Sequence, residues 1–335
     1  MQDQNQETLD LQFMREAVLE SRYGFPAPNP HVGCVIVSNG AVVGRGHHVS
    51  AGQAHAEVNA LTQAGTYARG GTAYVTLEPC NHEGRTGPCT LALMQAGIKR
   101  VVYACTDPNP KAAGGGAFLQ AQGLEVVSGV DEAAARSVNY AWLDAIVLQR
   151  PYVTLKIAQS HDGFAARRSG EQWITSPEAR LDGHRYRAER GAVLVGRSTV
   201  QKDNPLLTAR IEGVVHQPLR IVLDPGRRLT GNERIFNADA DTWHMSNNLN
   251  FTIEEILDRL WTNKKVGLLV EGGPETMRRF LESGLYDEII VYTAPKDVIS
   301  GLPAFPGPKL EDLPVNLVSQ TQIGLDTRSI YRRKP

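Results

Sequence analysis

Along this chain the spacing of apolar residues switches repeatedly between the helical period and short strand-like runs, and few folds accommodate that alternation. "LDLQFMREAVLES" (9–21) sets Leu9, Phe13, Met14, Ala17 and Val18 on one helical face. "VGCVIV" (32–37) and "AVVGRGHHV" (41–49) are strands around Asn39-Gly40, a strong hairpin-turn pair. A helix in "AHAEVNALTQAG" (54–65) ends at Gly65, "TAYVTLEPC" (72–80) is a strand, and "PCTLALMQAG" (88–97) is a helix opening with Pro88. Strands follow at 99–107 and 124–130, then a long helix at 131–149. Strands alternating with helices predict an α/β fold whose sheet is covered on both faces. Arg150-Pro151 interrupts that last helix, so a boundary is expected there, giving domains 1–149 and 150–335. The second half repeats the alternation: strands at 152–160, 192–196, 219–224, 267–273 and 287–295, helices near 176–190, 253–261 and 275–284, and strand-like ends at 315–324 and 328–333. "GLPAFPGP" (301–308) reads as a loop.

Composition narrows the function. The chain has 335 residues, is 41% hydrophobic and 21% charged, and carries a formal net charge of −1. A near-neutral balance argues against a nucleic-acid partner, which calls for a basic excess. No run approaches the ~18 apolar residues of a membrane span, so no membrane partner is expected. The start "MQDQNQETLD" lacks the basic and apolar regions of a secretory leader, and a cytoplasmic location is the expectation. The sequence leaves the oligomeric state open, a homo-oligomer included.

In "PCNHEGRTGPC" (79–89) two cysteines, each directly after a proline, stand nine positions apart. Four cysteines in a chain of this size do not make a disulfide framework, and in a reducing compartment a clustered pair is metal-binding or catalytic more often. Cys34 and Cys105 sit in apolar runs and read as buried strand thiols. Cys80 and Cys89 have a third partner upstream in "HAEV" (55–58). His55 and Glu57, two residues apart near a helix start, point in different directions around the axis, which suits one metal ligand and one neighbouring carboxylate. One imidazole and two thiolates leave a tetrahedral zinc position open to water, the arrangement of a catalytic site. Water bound there loses a proton near pH ~7, and Glu57 can take that proton and return it to a leaving group. Pro79 ends its strand so that Cys80 emerges at the edge, and Pro88 fits the first turn of the next helix, with Cys89 in that turn. The alternatives to a catalytic zinc are a Cys80–Cys89 disulfide and a structural zinc in a binding protein.

H-x-E followed by P-C and a second cysteine is the pattern of the zinc-dependent nucleobase deaminases. Most of these end in P-C-x-x-C; here eight residues intervene. That insert, with "PNPHVGCVIV" (28–37) and "DPNP" (107–110), closely resembles the deaminase half of the bifunctional riboflavin-biosynthesis deaminase/reductase family. The resemblance implies a cytidine-deaminase-like three-layer α/β/α domain and a small pyrimidine ribosyl-phosphate substrate. It places Asn29, His82 and Arg85 against the substrate, and puts Gly87 where the family usually has proline. His47 and His48 end a strand, and packing at the surface or sheet edge is the expectation for one of them. A free-base or tRNA deaminase with an unrelated second domain is the rival, and the charge and long insert count against it.

Read alone, residues 151–335 say only that a strand runs into Gly-Gly and a helix in "VEGGPET" (270–276), a turn able to hold phosphate; G-x-G-x-x-G is absent. "YVTLKIAQSHDG" (152–163), "QWITS" (172–176), "VLVGRSTVQKDNPLLTAR" (193–210) and "VEGG" resemble the reductase half of the same family, a dihydrofolate-reductase-like α/β domain that uses NADPH. Carried over, Ala158, Trp173, Thr199, Asp203, Gly273, Pro274, Glu275, Thr276, Met277, Arg278 and Arg279 would contact NADPH. Arg187, Leu207, Arg210 and Glu271 would contact substrate, the arginines because a guanidinium binds phosphate bidentately. The serine that the family places before Gln-Trp is missing from "SGEQW", which either shifts its role to Ser169 or loses the contact, and Asn204 stands where the family has a second aspartate. Lys156 or Asp203 is the expected proton-handling group, with a structural salt bridge as the alternative. The implied activity is hydrolytic deamination of a diaminopyrimidinone ribosyl phosphate, then NADPH reduction of its ribosyl chain to ribityl.

Overall fold

The structure, a computed structural model, describes residues 2–83, 87–167, 173–246 and 251–334. It divides into two compact units, Met1–Leu148 and Gln149–Pro335.

The first unit is built on five strands: β1 (Gly33–Ser38), β2 (Ala41–His47), β3 (Thr72–Leu77), β4 (Arg100–Cys105) and β5 (Glu125–Ser128). Their order is β2-β1-β3-β4-β5. β1 runs antiparallel to both neighbours, and β3, β4 and β5 are parallel. Asn39 and Gly40 both have positive φ, 51° and 76°, as the tight turn between β1 and β2 requires. Side chains alternate across the sheet. Val35, Val37 and Tyr74 pack with Phe13, Met14, Ala17 and Val18 of helix α1 (Gln2–Glu20) and Ala135 of α5 (Glu132–Leu148). Cys34, Ile36, Ala73 and Val75 face the other way, onto Ala56, Ala60 and Ala64 of α2 (Ala56–Ala64), Leu93 of α3 (Cys89–Gln95) and Leu119 of α4 (Gly115–Ala121). The result is three layers, α/β/α.

In the second unit the strands are β6 (Tyr152–Ser160), β7 (Phe164–Arg167), β8 (Ala192–Gly196), β9 (Leu219–Leu223), β10 (Thr242–Met245), β11 (Gly267–Val270), β12 (Glu288–Ala294), β13 (Gly301–Pro303), β14 (Val315–Ile323) and β15 (Asp326–Arg333). Eight of them form one sheet, ordered β10-β9-β8-β11-β6-β12-β15-β14. It is parallel from β10 to β12, with β15 and β14 added antiparallel at one edge. The helices are α6 (Pro177–Arg190), α7 (Arg197–Asp203), α8 (Ile253–Thr262) and α9 (Pro274–Ser283). One departure from the sequence reading is that 301–308 is not loop throughout: Gly301–Pro303 pairs antiparallel with β7. A three-residue strand stabilised by a partner far away in sequence leaves no local periodicity to read.

Candidate active sites

In the first unit the elements of the metal-type cluster meet where β3 ends and two helices begin. His55 is the N-cap of α2, in extended conformation (φ −73°, ψ 165°), and Glu57 lies in its first turn. Cys80 follows β3, and Cys89 is the first residue of α3, with Pro88 as its N-cap rather than inside the first turn. The Nδ1 of His55 lies 3.3 Å from the Cys89 sulfur and 3.6 Å from that of Cys80. All three ligand atoms lie within 4.8 Å of one another. Tetrahedral zinc, with ~2.3 Å Zn–S and ~2.0 Å Zn–N bonds, spaces its donors roughly 3.5–3.8 Å apart, so the donor set fits that ion. The four cysteines are all free.

Electrostatics agree with the geometry. The Cys89 thiol facing Cys80 lowers the Cys80 thiol to about 4, and Cys89 is pushed up in turn. Two sulfurs this close lose a first proton easily and hold the second, until a cation replaces it. Glu57 is almost fully buried, and burial pushes its carboxyl up.

Around this corner the structure adds groups that sequence reading missed. Of the two histidines at the end of β2, His47 is the half-exposed one, beside Glu20, and His48 is buried. The His48 ring makes an edge contact with that of His55 at 5.2 Å between centroids. Its Nδ1 is 3.1 Å from the Ala54 carbonyl and its Nε2 is 2.9 Å from Asn29 Nδ2. Since the carbonyl only accepts, Nδ1 donates to it and Nε2 accepts from Asn29. The sequence carries a signal for this: Gly44, Gly46 and His48 fall at period two, on the face that meets α2. At the end of β3 the Glu78 carboxylate accepts from the backbone N–H groups of Asp107, Gly114 and Gly116, which ties the 107–110 turn to the strand edge. Burial, with Glu78 and Cys80 nearby, pushes the Asp107 carboxyl up to about 6. His82 is exposed, and Arg85 lies outside the described residues.

In the second unit a charged cluster forms around Glu271, the residue after β11. Its carboxylate accepts two hydrogen bonds from Arg187, at 2.6 and 2.9 Å, and Lys156 Nζ stands 3.8 Å away. Burial opposes ionisation of Glu271, but Arg187 and Lys156 outweigh it and hold the carboxyl at about 2. Burial, with Arg187 and Arg180 nearby, lowers the Lys156 ammonium despite Glu271. Asp203 is not brought to this cluster. It is the exposed last residue of α7, and no hydrogen bond or ion pair joins it to Lys156 among the described residues. Asn204 is the C-cap of α7 in the left-handed conformation (φ 41°), where asparagine is favoured, and its Oδ1 accepts from the Arg234 N–H. Leu207 also has positive φ (53°), and its side chain is packed with Val193, Val200 and Ile235; only its backbone is left to meet a ligand.

The starts of α7 and α9 converge at the adjacent edges of β8 and β11. A Cβ on Gly273 would stand 3.1 Å from Thr199 Oγ1, and one on Gly196 would stand 2.6 Å from Thr276 Oγ1. Ala158 is partly buried on β6, and Trp173 is half-exposed with the Arg180 guanidinium 5.1 Å from its ring centre. Within the segment 273–279, Met277 is in the core with Phe280 and Leu281, Arg278 is paired with Glu275 and Glu282, and Arg279 donates to the Phe251 carbonyl. A helix turns through 100° per residue, so a contiguous run cannot all face one ligand; Gly273, Pro274 and Thr276 are the members near the strand edge. Ser169 lies outside the described residues.

Residues 7–105 match the family described as the cytidine and deoxycytidylate deaminase zinc-binding region, and residues 151–328 match the RibD C-terminal domain. The riboflavin biosynthesis protein RibD of Aquifex aeolicus is 43% identical over 317 residues, 88% of this chain and 89% of that one. The Escherichia coli protein of the same name is 42% identical over 324 residues, 86% of this chain and 88% of its own. Among solved structures, Acinetobacter baumannii RibD in one crystal form superposes with a TM-score of 0.89 at 37% identity, covering 98% of this chain and all of the other. The Thermotoga maritima diaminohydroxyphosphoribosylaminopyrimidine deaminase/5-amino-6-(5-phosphoribosylamino)uracil reductase gives 0.88 at 31% identity, with 98% of this chain and 100% of that one covered.

Proposed function

This chain belongs to the bifunctional riboflavin-biosynthesis deaminase/reductase family, a zinc-dependent hydrolase joined to an NADPH-dependent reductase, and on that premise we propose how its residues divide the two reactions. The first reaction is hydrolytic loss of ammonia from a 2,5-diamino-6-ribosylamino-4(3H)-pyrimidinone 5′-phosphate. His55, Cys80 and Cys89 would hold zinc, which when bound would supply a water activated at neutral pH. Glu57 moves the protons. Buried beside the cluster, it would take a proton from the attacking water and deliver one to the departing amine, so that water is consumed and ammonia leaves. Asn29 holds the pyrimidine, with His48 fixing the Asn29 amide through the 2.9 Å contact. His82 completes the substrate side of the pocket, and Arg85, outside the described residues, keeps the substrate role that the resemblance implies.

In the second reaction NADPH supplies hydride to the ring-opened ribosyl chain. The chain's own share is to place the sugar and to furnish a proton, and Lys156 is the donor this reading favours: its lowered ammonium, sheltered beside Glu271, releases a proton more readily than an ordinary lysine. Ala158, Trp173, Thr199 and the Gly273–Thr276 turn line the cofactor side. Arg187, Arg210, Glu271 and the Leu207 backbone line the substrate side, and Ser169, outside the described residues, keeps the substrate role that the resemblance implies. Asp203 takes a cofactor contact rather than a proton.

The observation that carries the deaminase reading is the His55–Cys80–Cys89 triangle with Glu57 buried next to it. The test is Glu57→Gln. Ammonia release should fall by roughly 10²–10⁴-fold, zinc content should stay at wild type, and NADPH oxidation on the deaminated substrate should be untouched. Ammonia release at the wild-type rate in the zinc-loaded variant would remove Glu57 from the reaction.

A further inference from the structure

Of the two arginines read as phosphate contacts, Arg187 and Arg210, only one has an uncommitted charge. Arg187 gives its fork to the Glu271 carboxylate. Arg210 forms no ion pair with any carboxylate among the described residues. Its guanidinium rests on two neutral acceptors, Thr208 Oγ1 at 3.0 Å from Nη1 and His184 Nε2 at 3.2 Å from Nη2.

His184 is buried on α6, one turn before Arg187. Its Nδ1 lies 3.0 Å from the Thr208 carbonyl and 3.0 Å from the Arg210 backbone N. The Thr208 carbonyl also accepts from Arg187 Nη1 at 3.1 Å. A guanidinium can only donate, so Nε2 facing it must present a lone pair, and the ring proton then sits on Nδ1 and bonds the Thr208 carbonyl. In the other neutral tautomer Nδ1 would accept from the Arg210 backbone N–H instead. That tautomer would turn the Nε2–H against the guanidinium and leave the Thr208 carbonyl without the ring, so the first, which makes two bonds rather than one, is the form that holds the Arg210 side chain. The imidazolium would oppose donors of Arg210 at both nitrogens. Burial, joined by the charges of Arg187 and Arg210 and only partly opposed by Glu271, holds this imidazole down at about 4.

We propose that His184 is a positioning residue for the reductase reaction: as a buried acceptor it aims the Arg210 guanidinium at the 5′-phosphate of the substrate, making Arg210 the residue that distinguishes a phosphorylated from a dephosphorylated ribosyl chain. This rests on the reading that Arg210 meets the substrate. A carboxylate in place of His184 would hold Arg210 more firmly but cancel the charge the phosphate needs; a neutral acceptor orients without neutralising. Two arginines are thereby given different work: Arg187 shapes the pocket with Glu271, and Arg210 reads charge.

The experiment compares the deaminated substrate with its enzymatically dephosphorylated form, following NADPH oxidation in the full-length zinc-loaded enzyme. Arg210→Gln should erase the preference for the phosphate ester. His184→Leu, which fills the space without an acceptor, should raise KM for the phosphorylated substrate roughly ten- to hundredfold. The kcat, and KM for the dephosphorylated form, should stay within about threefold, and His184→Gln should recover most of the loss. His184→Glu, which pairs Arg210 with a carboxylate, should erase the preference too, and it stands in for His184→Leu should that variant fail to fold. If Arg210→Gln leaves the preference intact, the placement of Arg210 is wrong. If Arg210→Gln erases it while His184→Leu or His184→Glu retains it, Arg210 stands and the role of His184 falls.

Discussion

Gly46→Ala tests how the deaminase corner is held. β2 presents Gly44 and Gly46, two residues apart, to the face of α2 that carries Ala56, Ala60 and Ala64, and the helix lies directly on the strand backbone. A Cβ on Gly46 would fall 2.4 Å from both the Ala56 carbonyl oxygen and the Ala60 nitrogen, and 2.8 Å from Asn59 Cβ. The first two are backbone atoms of the helix and cannot rotate away. Restoring an ordinary contact of about 3.4 Å requires α2 to move by roughly 1 Å, and forcing such overpacking costs roughly 1–3 kcal/mol. The helix carries His55 at its N-cap and Glu57 in its first turn, so the displacement is delivered to one metal ligand and to the proton carrier. Metal–ligand distances tolerate about 0.2 Å, and a ~1 Å misplacement of a reacting group can cost about 10²-fold. The variant should therefore bind zinc with a deficit seen in metal-to-protein ratio by plasma mass spectrometry, and release ammonia about a hundredfold more slowly even with zinc supplied. NADPH oxidation on the deaminated substrate reports the second unit and should not change. A Gly46→Ala protein with full zinc and wild-type ammonia release would show that the helix is not seated through that glycine, and the reasoning would fail with it.

Two further outcomes follow from the same structure. Arg220 is fully buried on β9, and its guanidinium donates to the carbonyls of Leu206, Asn237 and Ala240 and to Asn237 Oδ1; Arg220→Leu leaves those acceptors without donors and should cost at least about 3 kcal/mol, lowering the calorimetric Tm of the second unit by roughly 6–12 °C, and a shift under about 2 °C would count against these bonds as a structural staple. Stripping zinc with a chelator should abolish ammonia release and leave NADPH oxidation intact, with activity returning on adding zinc alone; deamination that survives a metal-free preparation would refute the assignment of His55, Cys80 and Cys89.

What could be read in the sequence, and what could not, divides along physical lines. Local signals carried far. The apolar spacing of 9–21, the Asn39-Gly40 turn and the prolines before Cys80 and Cys89 each act over a few residues, and all correspond to elements of the structure. His55, Cys80 and Cys89 could be gathered from a distance because thiolates and imidazole in one α/β edge have little else to do there. Contacts made across the sheet left little local trace, the period-two run of Gly44, Gly46 and His48 aside. His48 joins Asn29 to the 54–55 turn, Glu78 ties down a loop some thirty residues on, and His184 meets Arg210 across the 204–210 segment. Each depends on which strands neighbour which, and that order is settled by packing of the whole unit. Local physics argues against part of the resemblance in α9, as the buried Leu207 side chain does. Met277, Phe280 and Leu281 have the i, i+3, i+4 spacing of a buried stripe, and they are buried. Seven consecutive residues, 273–279, all touching one cofactor would conflict with the helical period on the sequence alone. The buried stripe keeps Met277 in the core, and the same turn sets Gly273 beside Thr199 and Thr276 beside Gly196 at the edge of β8 and β11.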